Sequence, residues 1–481
     1  MQSSKPAKDV VHMKRYLAVD IGASSGRHIA AWLEGGIIRT REVYRFPNGA
    51  SERGGHLCWD AGALAGHVME GLRAAHDQGL DPVTVGIDTW GVDFALLDDG
   101  GRMVGDMVAY RDSRTDGMDT LLEKTLPFEE MYRLCGIARQ PFNTVYQMMA
   151  VLREHPEYRE WVKDFLLVPE YLSYCLTGRR AHEWTNVSTT SLGDAHTRAF
   201  SAEVLRGANL PESWFETPIV QPGTRLGRLL PEIAARVGFD AEVILPATHD
   251  TGSAYMAVPA RDEHAAFLSS GTWSLLGTEL RAPVTDERAL RSGFTNEGGY
   301  DGTTRFLKNI MGMWMLQCIH RETEGAHSFA EMADMAAASD YPCWVNAEDN
   351  RFLAPASMLE EVRAALREQG APEPRNLADI LRAVTVGLAV CYRDAIREMS
   401  GVTGKTFTSV NIVGGGSQNV VLNQLTADLT GLPVYAGPTE GTALGNLAAQ
   451  MIADGAFANL AAFRAALPAS FDIVPYNPKK G

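Results

Sequence analysis

Residues 17–27 read LAVDIGASSGR, and residues 266–276 read AFLSSGTWSLL. Each is an apolar run that breaks into a small-residue turn carrying Gly with Ser or Thr. That pattern predicts a β-hairpin whose backbone amides lie open to anionic oxygens. Two such hairpins, far apart in one chain, predict two related lobes with a phosphate-bearing ligand between them. The first carries an acid, Asp20, just before its turn. The second carries Ser269, Ser270 and Thr272 but no acid. An acid at one hairpin alone points to a metal ion there, and the pair together points to an enzyme that uses ATP.

The chain has 481 residues, too many for one core at ~100–200 residues per domain. Hydrophobic residues make up 45% and charged residues 21%, so most of the chain is expected to fold. A formal charge of -15 argues against a nucleic-acid binder, which needs a basic footprint. It does not argue against ATP, because a cation reverses the local field. The six cysteines are scattered without a CxxC or Cys/His cluster, which excludes the usual zinc frameworks. The N-terminus is polar, and no run of about 18 apolar residues occurs. A cytoplasmic protein with no membrane segment is expected.

Residues 1–14 read as a flexible leader, 15–258 as an N-terminal lobe for sugar and phosphate, 262–455 as a C-terminal nucleotide lobe and 456–481 as a peripheral segment. Strands are predicted over Tyr16–Ile21, Arg27–Leu33, Ile37–Tyr44, Thr84–Asp88, Val243–Pro246, Ser409–Val413 and Val434–Ala436. Helices are predicted over Leu64–Ala75, Val145–Glu154, Pro169–Leu176, Leu307–Ile319, Leu377–Met399 and Asn419–Thr430.

Asp250 follows a buried strand, where a carboxylate can accept a proton from a sugar hydroxyl. By spacing alone, a cap for the helix Thr251–Met256 is the commoner role. His249 can orient a sugar or simply pack. Gly414-Gly415-Gly416 ends a strand before a helix, where backbone can approach a nucleotide. Neither GxxxxGK[ST] nor GxGxxG occurs. Trp90-Gly91-Val92-Asp93-Phe94 suits a sugar stacked on a ring, or a packed core. Arg111-Asp112-Ser113-Arg114 suits hydroxyl or phosphate contacts, or a surface ion-pair cluster. Asn309 and Gln317, eight apart on one predicted helix, would share a face.

The segments VDIGASSGR, GIDTWGVDF, AYRDSRT, PFNTVYQ, THDTGSA, LSSGTWSL, LKNIMGMWMLQ and IVGGGSQN together resemble the FGGY carbohydrate kinases, from about Tyr16 to about Ile452. The resemblance implies an α/β, two-lobed actin/hexokinase-like fold of RNase H type, with ATP and sugar in a central cleft. Its implied reaction is phosphoryl transfer from ATP to O1 of a ketose, L-rhamnulose in the most similar branch. Residue by residue, Ala23, Ser24, Ser25, Gly26, Arg27, Thr272, Gln317, Gly415 and Gly416 match nucleotide positions. Gly91, His249, Asp250, Thr251 and Asn309 match sugar positions, and Asp250 matches the catalytic base. Asp20 matches an acid near Mg2+ and the phosphates. Thr426 and Thr430 stand where some members carry cysteines, so no disulfide forms there. The alternatives are a kinase for another ketose such as L-fuculose, a non-catalytic sugar or nucleotide sensor, and a sugar-independent ATPase.

Overall fold

A computed structural model describes residues 13–479. Most of the predicted leader, residues 1–12, lies outside the described residues. The first sheet holds β1 (Arg15–Ile21), β2 (Ser25–Glu34), β3 (Ile37–Pro47), β4 (Thr84–Thr89), β5 (Thr224–Arg228) and β6 (Glu242–Leu245), in the order β5-β6-β4-β1-β2-β3. β1, β2 and β3 form an antiparallel meander, while β1, β4 and β6 run parallel. Helices α1 (Ala61–Asp77), α2 (Thr144–Glu154), α3 (Val168–Thr177) and α4 (Asp250–Met256) belong to this half. α1 starts on Asp60, whose side chain accepts from Ala63 N at 2.8 Å, and buries Leu64, Val68 and Leu72 on the sheet.

The second sheet holds β7 (Ala265–Ser270), β8 (Trp273–Leu280), β9 (Thr295–Gly298), β10 (Thr304–Met311), β11 (Ser409–Val413), β12 (Val434–Ala436) and β13 (Val474–Tyr476), in the order β9-β10-β8-β7-β11-β12-β13. Five strands of each sheet share one plan. β3-β2-β1-β4-β6 and β10-β8-β7-β11-β12 have the same order and the same parallel or antiparallel pairing at each step. The likeness of the two hairpins thus extends to the core of each lobe.

Helices α5 (Trp314–Glu322), α6 (Leu377–Thr403) and α7 (Val420–Thr430) cover the second sheet; α8 (Gly441–Ala453) and α9 (Leu460–Ser470) follow. One helix predicted over Leu307–Ile319 is wrong. Residues 304–311 form β10, and a separate helix begins at Trp314. The apolar residues Phe306 and Ile310 sit on one face of a strand in the core of the second lobe, and the period of two was masked by the apolar residues that continue into α5.

The C-terminal stretch is also less peripheral than the sequence predicts. Phe463 and Leu467 of α9 are fully buried, and β13 pairs with β12. Helix α8 crosses back to the first lobe. Asn446 Nδ2 donates to Gly86 O at 3.1 Å and to Asp88 Oδ2 at 2.6 Å, and Gln450 Nε2 donates to Leu17 O at 3.0 Å. Its first turn abuts the glycine turn after β11, since a Cβ on Gly441 would lie 3.0 Å from Val413 Cβ. One helix therefore ties the ligand edge of the second sheet to the face of the first.

Candidate functional site

The strands present their polar ends on one edge of each sheet, the place where open α/β sheets bind ligands. In the first lobe, Asp20 ends β1 in register with Asp88 on β4. The chain beyond β6 runs parallel to β4 through the Thr89–His249 bridge, with Thr89 N donating to Thr248 O at 3.0 Å. Asp20, Asp88 and Asp250 are thus brought to neighbouring strand ends.

Asp250 is the first residue of α4, with His249 as its cap, so the capping role considered from spacing falls to the neighbouring position. Its Oδ1 accepts from Thr251 N at 2.5 Å and from Thr251 Oγ1 at 3.1 Å, and His249 Nε2 lies 3.4 Å away. All three contacts fall on one oxygen, Oδ1. The carboxyl keeps 32% of its side-chain surface open. Burial of its surroundings raises its pKa above the ordinary value; His249 and the Thr251 bonds pull it down and Asp20 pushes it up. A carboxylate more basic than usual suits a general base.

The strand end that carries Asp250 is fixed by Glu183. Its Oε2 accepts from Thr248 N at 2.9 Å, Thr248 Oγ1 at 2.8 Å and Thr185 Oγ1 at 2.5 Å. Burial raises this acid to about 7, against the pull of those donors. Gly91 stands over the same place, where a Cβ would lie 2.9 Å from Thr189 Oγ1 and 3.4 Å from His249 Cδ2. Gly91, His249, Asp250 and Thr251 therefore lie together. Asn309 lies in the other lobe, on β10, on the same strand face as Arg305, which reaches His249. The expectation of one helix face shared with Gln317 fails, because Gln317 lies on α5.

Trp90 and Asp93 take the packed role. Trp90 is 7% exposed, its ring centroid lies 4.3 Å from that of Trp59, and both indoles donate to Asp93 Oδ2, at 2.9 and 2.7 Å. Tyr110 N donates to the same oxygen at 3.1 Å and Gln147 Nε2 to Oδ1 at 3.1 Å. Gln147 is itself held by Arg114, whose NH2 donates to its Oε1 at 2.9 Å. Arg114 is accordingly built into the fold, while Arg111 and Ser113 of the same segment are exposed.

Replacing Asp93 by Asn sets an amide donor against one of these donors, and Gln147 has no freedom to turn over. A loss of ~1–3 kcal/mol in urea unfolding is expected. Burial raises Asp93 to about 6, against its hydrogen bonds, from an ordinary value of ~3.9. The folded state then holds this proton longer than the unfolded one. Its contribution to stability is full below about pH 4 and declines as the pH rises to about 6. The variant lacks that slope; an unchanged slope between pH 4 and 6 contradicts the assignment.

On the phosphate side, the first turn is closed by Gly22 N donating to Ser25 O at 2.9 Å and is braced by Asn48 Nδ2 donating to Gly22 O at 2.8 Å. Ala23 and Ser25 are half-buried and Ser24 is exposed. Gly26 is explained by packing, since a Cβ there would lie 2.1 Å from the Phe46 ring. Arg27 Nε and NH2 donate to Asp20 Oδ2 at 3.0 and 2.8 Å, and its NH1 lies 2.5 Å from Glu440 at the start of α8.

In the second lobe, Trp314 N donates to Thr272 O at 3.1 Å and Met313 N to Gly271 O at 3.1 Å, so the second hairpin turn is welded to the start of α5, which carries Gln317. The glycine turn docks on this hairpin. A Cβ on Gly416 would lie 1.9 Å from Ser270 Oγ, while one on the exposed Gly415 meets nothing within 4 Å. The turn with Thr272, the helix with Gln317 and the turn with Gly415 are thus adjoining elements, and Gly416 allows their close packing.

Asp88 was missed as a site residue, although a charged residue in the buried run Thr84–Thr89 was the available signal. Its Oδ1 is buried without a hydrogen-bond partner, and burial together with Asp20 pushes its pKa well up, despite the Asn446 bond. An orphaned carboxylate oxygen beside Asp20, whose Oδ1 is left free by Arg27, fits a hard divalent cation. Among the described residues no group of three or more His, Cys, Asp or Glu forms a ready-made cage. Substrate and water oxygens would therefore complete the coordination. All six cysteines are free, and no described helix is long and apolar enough to cross a membrane.

Known proteins resemble this chain in sequence and in fold. The model of the FGGY carbohydrate kinases' N-terminal domain matches residues 15–257, and that of their C-terminal domain matches residues 266–453. A rhamnulokinase of Halalkalibacterium halodurans is 42% identical over 465 residues, covering 96% of this chain and 99% of that protein. A rhamnulokinase of Bacillus subtilis is 40% identical over 466 residues, covering 96% and 95%. Among solved structures, a gluconate kinase from Lactobacillus acidophilus superposes with a TM-score of 0.80 at 16% identity, covering 97% of this chain and 94% of that one. Plasmodium falciparum glycerol kinase with ADP gives 0.78 at 14% identity, with the same coverage. These likenesses establish the two-lobed actin/hexokinase-like fold. The chain belongs to the FGGY family of carbohydrate kinases, on its rhamnulokinase branch.

Proposed function

We propose that this protein transfers the γ-phosphoryl group of ATP to O1 of L-rhamnulose, giving L-rhamnulose 1-phosphate and ADP in L-rhamnose breakdown. The substrate follows from the rhamnulokinase relatives that match along nearly the whole chain. The observation that carries the chemistry is Asp250, whose Oδ1 is tied by Thr251 while its side chain keeps 32% of its surface open.

Gly91, His249, Thr251 and Asn309 line the sugar side. Ala23–Arg27, Thr272, Gln317, Gly415 and Gly416 line the nucleotide side. Asp250 takes the O1 proton as the hydroxyl attacks the γ-phosphorus, and turn amides with Arg27 stabilise charge on the transferred group. Asp20 and Asp88 would hold a Mg2+ ion, which supplies positive charge beside the phosphate oxygens. Approach of the lobes excludes water, which suppresses ATP hydrolysis without sugar. Use of ATP on an intermediate of sugar breakdown suits a cytoplasmic enzyme. On this reading an N-terminal lobe spans 15–258 and a C-terminal lobe 262–455; a sheet within each supports it, although β13 of the second sheet lies beyond 455 and α8 contacts both. Comparing kcat/KM for L-rhamnulose and L-fuculose tests the substrate: at least a tenfold preference for L-rhamnulose is expected, and a preference for L-fuculose refutes that part.

A further inference from the structure

The lobes meet behind Asp250 through charged groups. Arg305 on β10 has no exposed surface and pairs in register with Glu297 on β9. Its Nε donates to Gly298 O at 2.7 Å, its NH1 lies 2.9 Å from Glu297 Oε2, and its NH2 lies 3.1 Å from His249 Nδ1. Burying a guanidinium is costly unless the arrangement gives it partners, and here one partner is the imidazole beside Asp250.

A guanidinium only donates. The His249 Nδ1 that it faces must therefore hold a lone pair, which leaves the ring proton on Nε2, the nitrogen 3.4 Å from Asp250 Oδ1. Glu297 Oε2 lies 3.2 Å from the same Nδ1 and favours the opposite tautomer. The two neighbours compete for one nitrogen, and the cation is the one that directs a hydrogen at it. In the other tautomer the Nε2 lone pair would face the lone pairs of Asp250 Oδ1 and turn the carboxylate away.

We propose that Arg305 is a positioning residue of the second lobe that fixes His249 as its Nε2–H tautomer, so that the imidazole presents a donor to the Asp250 carboxylate. Glu297 is the counter-charge that makes the buried guanidinium tolerable. This assignment rests on Asp250 as the acceptor of the hydroxyl proton. It makes competence of the base depend on a residue from the opposite lobe.

The test uses the full chain with 15N-labelled histidine rings, with His249 assigned by difference from His249→Gln. In the wild type, two-bond proton–nitrogen correlations should show His249 protonated on Nε2 and bare on Nδ1. In Arg305→Met the proton should appear on Nδ1, facing Glu297, and kcat should fall at least ~10-fold while KM for ATP stays within about twofold. Arg305→Lys should recover part of kcat, and Glu297→Gln should keep the wild-type tautomer. A wild-type His249 protonated on Nδ1 overturns the proposal by itself, even if Arg305→Met does not fold. So does an Arg305→Met enzyme with unchanged tautomer or unchanged kcat. Turnover by Asp250→Asn would refute the base assignment while leaving the tautomer result standing, so the two failures are distinguishable.

Discussion

Asp250→Asn lowers kcat by about 10³-fold or more, within the span expected for loss of a general base, and leaves sugar binding nearly intact. The amide keeps an acceptor for Thr251 N and nearly the same volume, so α4 and the sugar contacts around it persist. What disappears is the basic Oδ2. Steady-state ADP release gives kcat, and calorimetric titration with the ketose gives the dissociation constant. A variant with wild-type kcat removes Asp250 from the chemistry. One that loses sugar affinity and kcat together makes it a binding residue first.

Gly445→Val is expected to abolish the folded enzyme. Helices α4 and α8 cross with their backbones in contact at this point, and a Cβ on Gly445 would lie 1.6 Å from Ser253 O. A backbone carbonyl in a helix has no room to yield, so the clash parts the two helices. That separation loosens Asn446 from Asp88 and Gln450 from Leu17. A loss of more than ~4 kcal/mol is expected, seen as insoluble protein or a collapsed Tm. Gly401→Ala is the control: it lies in α6, and its Cβ would meet nothing within 4 Å. It should leave Tm unchanged or slightly raised. Normal folding of Gly445→Val would show that the helices do not pack this closely.

The hairpins were readable from sequence because a β-turn with small residues is a local signal, and the strands beside them came out within a few residues. Convergence at Asp250 was only half legible. The strand ending near His249 could be predicted, but spacing favoured a cap, and resemblance to the kinases was needed to choose the base. Resemblance assigns Asn309 to the sugar site, and periodicity assigns it to the wrong element. Its strand is apolar on both faces, Leu307 on one and Phe306 on the other, and such a strand carries no clear period of two. Asp88 shows in the sequence only as a charge within an apolar run, and Arg305 and Glu297 give no signal at all, because the meaning of all three lies in partners from distant strands and the opposite lobe. A buried charge announces itself only when the fold shows what surrounds it. The crossing of α8 has the same origin, since small residues along a helix do not say which sheet they approach.

On the proposed function, ATP is spent on a ketose in this cleft and on nothing else. The most direct test is ADP production with Mg2+ and ATP across L-rhamnulose, L-fuculose, L-ribulose, L-xylulose and glycerol, with a control lacking sugar. ADP release that depends on L-rhamnulose and exceeds every other sugar in kcat/KM, with little release in the control, is the predicted result. Equal ADP release with and without sugar, or none under any condition, would contradict the account.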